Sequence, residues 1–228
     1  MKSDVTAPRM AGLMFLIVAA TLMGGSILAP LFDPIAPPEN LSDALVDASE
    51  DTFRIHLSVL LKLASAAGTV VLATMLFATL RSQDANLATL ALSFRLVEAT
   101  ILSAAAICPL LWLLLRQEHA GAGDLDGALY LALGSLLVRG SSWGFTVAAT
   151  FFSIGSTLFC YLFYKAGSIP KWLSGWGVLG SLVLLSGLVL HTINLVDSQT
   201  VALFWLPILF EIVLGFWLLI KGTKRAIQ

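Results

Sequence analysis

Residues 88–115 read ATLALSFRLVEATILSAAAICPLLWLLL. The stretch is long enough to cross a bilayer as one helix, which takes about 20 apolar residues. Yet it carries Arg95 and Glu98 close to its middle. A charge in hydrocarbon costs about 2.5 kcal/mol or more, so such residues face a protein interior and pair. At i, i+3 the two side chains leave one helix face and can meet. This one segment predicts a membrane protein with a polar interior.

The remainder of the chain agrees. Of its 228 residues, 58% are hydrophobic and 12% charged, a profile outside the range of soluble domains. A net charge of −1 and the lack of a long basic run argue against nucleic acid as a partner. The lipid bilayer is the expected surrounding. Hydropathy predicts an all-α polytopic membrane protein forming a single domain over 1–228, with six transmembrane helices at about 10–32, 54–80, 88–115, 141–164, 172–196 and 201–220. The first run follows Lys2 and Arg9 but lacks a convincing small-x-small cleavage site, so it reads as a retained helix. One or two short interfacial helices are expected besides. Residues 33–53 place Leu41, Ala44, Leu45 and Ala48 at helical spacing in an acidic stretch. Residues 126–139 are apolar but too short to span, and Gly140-Ser141-Ser142 offers a break before the fourth crossing.

Basic residues set the expected orientation. Lys2, Arg9, Arg81, Lys165, Lys171, Lys221, Lys224 and Arg225 fall on one side, and Arg54, Arg116 and Arg139 on the other. Both termini are therefore expected in the cytoplasm. Trp112, Trp143 and Trp205 fall near one boundary, and Trp172, Trp176 and Trp217 near the other, as interfacial belts require.

Two further charges lie inside spans. Glu98 and Glu211 each sit roughly 16 Å deep at 1.5 Å per residue, and Lys62 about 12 Å. With Arg95 they sum to zero charge, and they would meet if spans two, three and six touch. Two readings stand. The four residues are a ligand, ion or proton site, as intramembrane carboxylates often mark. Or they only orient helices. Thr146, Thr150, Ser153 and Thr157 form a hydroxyl stripe in span four, suited to helix packing or to a hydrated path. Ala64-xxx-Gly68 and Gly177-xxx-Ser181 are small-residue contacts. Pro109 and Pro207 interrupt their spans, and Pro207 precedes Glu211 by one turn.

Catalytic signatures are missing. The sequence holds no P-loop, GxSxG or HExxH, and no Asp pair at helical spacing in a span, which argues against an enzyme. His56 and His191 could in principle hold a haem or metal between helices, but no HxxxH, ExxH or CxxCH spacing supports it, so the cofactor stays unknown. Cys108 and Cys160 fall near opposite membrane faces and read as small packing residues.

Several stretches resemble the DUF4386 domain proteins, a family of bacterial membrane proteins. Phe94-Arg95-Leu96-Val97-Glu98-Ala99 is similar to a recurrent motif of that family. So are Ala11-Gly12 at the first span, Ile169-Pro170-Lys171-Trp172 followed by GWGV, Phe210-Glu211, and Leu218-Leu219-Ile220-Lys221-Gly222. The resemblance covers roughly residues 10–222. It implies an all-helical integral protein of the bacterial cell membrane and carries no established activity or catalytic residues. Two functions fit: a small module that binds or transports a ligand, ion or proton, or a non-catalytic accessory subunit bound to other membrane proteins.

Overall fold

The computed structural model describes residues 6–33, 52–122, 127–197, 200, 204–205 and 209–223. Every regular element among them is helical: α1 (Thr6–Leu28), α2 (Thr52–Leu80), α3 (Ala85–Ala105), α4 (Ile107–Ala122), α5 (Gly127–Ala166), α6 (Lys171–Thr192) and α7 (Phe210–Lys221). A single 3-10 turn, Pro30–Phe32, follows α1. Five helical segments are long and apolar enough to cross a membrane: Thr6–Leu28, Thr52–Leu80, Ala85–His119, Gly127–Ala166 and Lys171–Thr192. The acidic stretch expected as a surface helix lies, over residues 34–51, outside the described residues.

The bundle exposes large apolar side chains outward and buries serines among an apolar core. Ile27, Leu179 and Ile220 are 75, 66 and 68% exposed, while Ser153, Ser174 and Ser181 are fully buried. A lipid-facing surface reverses the soluble pattern in this way, because lipid tails are as apolar as leucine. Several buried hydroxyls find partners within the protein, while Ser181 Oγ has none among the described residues. Ser58 and Ser65 of α2 donate to the carbonyls of Gly25 and Val18 on α1, at 2.6 and 3.2 Å.

Glycines set how closely the helices approach. A Cβ at Gly12 would strike the backbone nitrogen of Leu219 and come within 2.7 Å of the Gly215 oxygen. Helices α1 and α7 therefore touch backbone to backbone, and antiparallel. Gly68 meets Val18 across α1 and α2, but Ala64 of that expected pair is exposed; Gly177 meets Cys160 and Phe210, and Ser181 one turn on is buried. The start of α1 and the end of α7 share one face of the bundle, termed proximal. Asp84 caps α3 there by accepting from the Leu87 amide at 3.1 Å, and also takes Lys165 at 3.6 Å. At the distal face α6 ends on Asn194, whose φ of 57° is left-handed. The Leu195 and Asn194 amides bond back to Leu190 and His191, each at 2.9 Å, a Schellman closure.

One expectation is met and another needs correction. Span three, Ala85–His119, is long and apolar enough to cross and is interrupted as expected, at Ala106. Pro109 accounts for this: it lacks an N–H, and its ring opposes the carbonyl of Ala105 one turn earlier. Residues 126–139 do not form a separate interfacial helix, and Gly140-Ser141-Ser142 does not break the chain. They belong to α5, one helix of 40 residues. Its first third packs on α4 in a distal core of Phe32, Ile55, Trp112, Leu113 and Val138. Among the described residues, five helical segments meet the length and composition for a crossing, and most of the expected sixth span before Phe210 lies outside them. The described helix at the sixth begins only at Phe210, with Phe204 and Trp205 in a turn. Pro207 lies outside the described residues.

The tryptophan belts are also partial. Trp143 and Trp172 are exposed rings, 41 and 59%, and Trp217 lies 4.3 Å from the Lys221 ammonium at the proximal face. Trp112 is instead fully buried, edge-on to Phe32 at 5.9 Å, and Trp205 turns inward against Phe145 and Phe152.

Candidate functional site

Arg95 and Glu98 pair as the spacing on α3 requires. Nη1 of Arg95 lies 3.1 Å from Oε2 of Glu98, and the two residues are 3 and 5% exposed. Gly155 of α5 makes the space: a Cβ there would sit 3.1 Å from both Cγ and Cδ of Arg95. The guanidinium carbon then lies 4.7 Å from the centre of the Phe152 ring, a cation–π contact one turn away on the same helix. Arg95 is thus held by a carboxylate on its own helix and a ring face on the next.

Glu211 reaches the same place from the first turn of α7. Ser156 Oγ, one residue beyond Gly155, donates to Glu211 Oε1 at 3.2 Å. The α1–α7 contact at Gly12 and Gly215 fixes the register that brings the carboxyl there. Beside these three side chains lies a cavity of about 260 Å³. Arg95, Glu98 and Glu211 line it together with Thr69 of α2; the remaining walls are mainly apolar, from α1, α3 and α5. Thr69 Oγ1 and Arg95 Nε have no hydrogen-bond partner among the described residues. Such buried orphans cost roughly 1–3 kcal/mol each, so polar walls of this kind suit a bound partner. A smaller void, about 10 Å³, lies on the other side of Arg95, Ser156 and Glu211 against Phe159, Phe163 and Leu214.

The sequence matches, over residues 10–222, the family described as a domain of unknown function, DUF4386. The chain belongs to that family. No curated protein and no solved structure matches it. Every residue lining the cavity, from Val18 to Ile212, falls within the matched DUF4386 region. The family description assigns no activity, so the chemistry has to be read from the side chains.

Three of the four expected site residues therefore meet, and Lys62 does not join them. Its ammonium donates to the Phe32 carbonyl at 3.0 Å, in the turn after α1. It lines a separate void of about 30 Å³, which shares Leu22, Leu102 and Phe145 with the main cavity. The physical reason is reach. A lysine stem carries its charge toward the nearest helix end, where carbonyls are left without partners.

The histidines in this DUF4386 protein do not form a site. His56 Nδ1 lies 2.8 Å from the Thr52 carbonyl, and His191 stacks on Trp143 at 5.2 Å with Nδ1 3.1 Å from the Val196 carbonyl. Among the described residues, no three His, Cys, Asp or Glu side chains gather as a metal site would need. The hydroxyl stripe of α5 is spent on its own helix: Thr146, Thr150, Ser153 and Thr157 bond to carbonyls four residues back, at 3.1, 3.0, 2.8 and 2.7 Å. Sequence reasoning missed Thr69 and Ser156. A signal existed for Thr69, since Lys62, Ser65 and Thr69 recur at i, i+3 and i+7 on one face of α2.

Proposed function

We propose that this protein binds a small amphipathic ligand inside the membrane, in the cavity floored by Arg95, Glu98 and Glu211. The observation that carries this reading is the cavity itself, with unpartnered polar atoms of Thr69 and Arg95 on otherwise apolar walls. Apolar pockets with a few convergent polar groups are the usual form of small-molecule sites. Binding could serve transport, since the carboxyls line a buried cavity inside the bundle and could exchange an ion or proton with the ligand.

The site belongs in a six-crossing protein of the bacterial cell membrane with both termini in the cytoplasm. The excess of Lys and Arg at the proximal face supports that orientation. Chain parity supports the sixth crossing: α6 ends at the distal face and α7 ends at the proximal face, beside the start of α1.

A second reading, an accessory subunit of a larger membrane complex, draws on the α4–α5 hairpin. Helix α5 has 40 residues, about 60 Å, against a hydrocarbon core near 30 Å. Leu114 and Leu136 on this hairpin are 57 and 65% exposed. A partner chain could cover them.

Native mass spectrometry on protein extracted gently from its own membrane tests both. A discrete small-molecule adduct on the single chain, lost in Glu211→Gln and weakened in the cavity-filling Ala149→Leu, is expected. Lys62→Met should keep it. An adduct unchanged by Glu211→Gln would sink the ligand reading, and a constant higher-mass assembly without adduct would favour the accessory one.

A further inference from the structure

We infer that the ligand of this cavity is a small lipophilic monocation, such as a protonated primary amine, which reaches the site sideways from the lipid. The inference rests on the ligand reading above and adds the charge of the ligand and its route.

The charge follows from the side chains that converge. Two carboxyls, Glu98 and Glu211, face the cavity against one guanidinium, Arg95. Lys62, which would have balanced them, is turned to the Phe32 carbonyl. Arg95 lies against Glu98 and the Phe152 ring, and its one positive charge is shared between two carboxyls. Among the described residues the Glu211 side chain accepts one hydrogen bond, from the Ser156 hydroxyl at 3.2 Å, and faces Arg95 across the cavity. One negative charge is left over. The amino end of α7 offsets part of it, worth about half an elementary charge, but not all. The other elements offer little. α5 contributes the Cys160 thiol beside Glu211, and α1 contributes only apolar groups there. An unneutralised carboxylate in hydrocarbon is costly. When the cavity is empty a proton can supply the missing charge. When it is filled, an ammonium group can do so, and the proton then leaves: one cation enters, one H⁺ departs, and the net charge of the site is unchanged. An anionic ligand would instead add to the surplus.

Size and route come from the walls. An apolar cavity of about 150 Å³ holds benzene, so about 260 Å³ accepts one aromatic ring with a short aminoalkyl arm. Met23 and Leu209 line the cavity and are also 59 and 52% exposed at the bundle surface. Met23 lies five residues before the end of α1, about 8 Å inside it. Among the described residues, these two side chains join the cavity wall to the lipid-facing surface between α1 and the start of α7, and a lipophilic amine concentrates in lipid.

The test uses the full-length protein in lipid nanodiscs, with empty discs as the blank. Isothermal titration calorimetry compares 2-phenylethylammonium, 2-phenylethanol and phenylacetate, in two buffers of different ionisation heat. The ammonium should bind about ten-fold or more tighter than the alcohol, phenylacetate should not bind, and about one proton should be released per cation bound. Glu211→Gln should bring the ammonium down to the level of the alcohol. Alcohol binding as tight as the ammonium, or any binding of phenylacetate, overturns the charge inference and leaves the ligand reading standing. No heat above the blank for all three probes overturns both. The comparison on the wild-type protein decides the matter even if Glu211→Gln fails to fold.

Discussion

Replacing Arg95 by methionine keeps most of the stem that fills the space beside Gly155 and removes the charge. The transfer and cavity terms should therefore be small. The electrostatic loss is not. Glu98 loses the cation 3.1 Å away and stays 5% exposed, with Glu211 across the same cavity. Removing one partner of a buried ion pair costs about 3–5 kcal/mol. A single uncompensated charge at the centre of a membrane helix costs about 2.5–3.5 kcal/mol by insertion measurements. The two ranges meet near 3 kcal/mol, which is the expected destabilisation of Arg95→Met. Glu98→Met removes the nearer of two carboxyls, leaves the guanidinium to Glu211 across the cavity, and should cost up to about as much. The double variant removes both charges and leaves apolar side chains of similar volume, so it should fall within about 1 kcal/mol of the wild type. With both singles near 3 kcal/mol, the coupling energy of this cycle is about 5–7 kcal/mol. Reversible unfolding of the purified protein by SDS in mixed micelles, followed by circular dichroism, measures all four corners. Additive losses, with the double variant as unstable as the sum of the singles, would refute the reasoning: Arg95 would then be held by its stem and Phe152, not by Glu98.

Three glycines test the packing by the same unfolding assay. Gly12→Ala puts a methyl against the α7 backbone, 2.7 Å from the Gly215 oxygen, and backbone cannot rotate away, so a loss of about 1–3 kcal/mol is expected. Gly175→Ala meets nothing within 4 Å on α6 and should gain up to about 1 kcal/mol from helix propensity; equal effects at the two positions would contradict the close α1–α7 approach. Gly140→Ala brings its methyl to an ordinary 3.6 Å from the Cys108 sulfur and should likewise stabilise by up to about 1 kcal/mol. A loss there would mean that α5 is not continuous through residue 140.

The site was legible in the sequence where one helix decided it, and less so where two or more did. Arg95 and Glu98 share α3, so the i, i+3 rule alone brought them together. Glu211 could be placed by depth, because an acid so far from both ends of an apolar run must face protein. Depth misled for Lys62. Its position along α2 said nothing of the rotation about the helix axis or of where a flexible stem would carry the charge. Gly25 and the carbonyl left over at Phe32 decide that, and both belong to the other side of the α1–α2 contact. Thr69 and Ser156 are ordinary hydroxyls in a sequence; only the cavity distinguishes the first and Glu211 the second.

The fold was legible for the same kind of reason and failed for the same kind. Hydropathy placed α1, α2 and α6 within a few residues, because each crosses once and ends near a polar or helix-ending signal. The α4–α5 hairpin is different. Gly140 with two following serines weakens a helix by a kilocalorie or two in total on propensity alone. Against that stand Trp112, Leu113 and Val138, 0, 4 and 2% exposed, packed on Phe32 in the distal core. Burying side chains of this size contributes about 1.5–3 kcal/mol each. The tertiary contact outweighs the local break, so the helix runs through. A length rule for membrane spans has no place for a helix twice the thickness of the bilayer. It cut α5 at the weakest local point, which is where propensity pointed and packing did not.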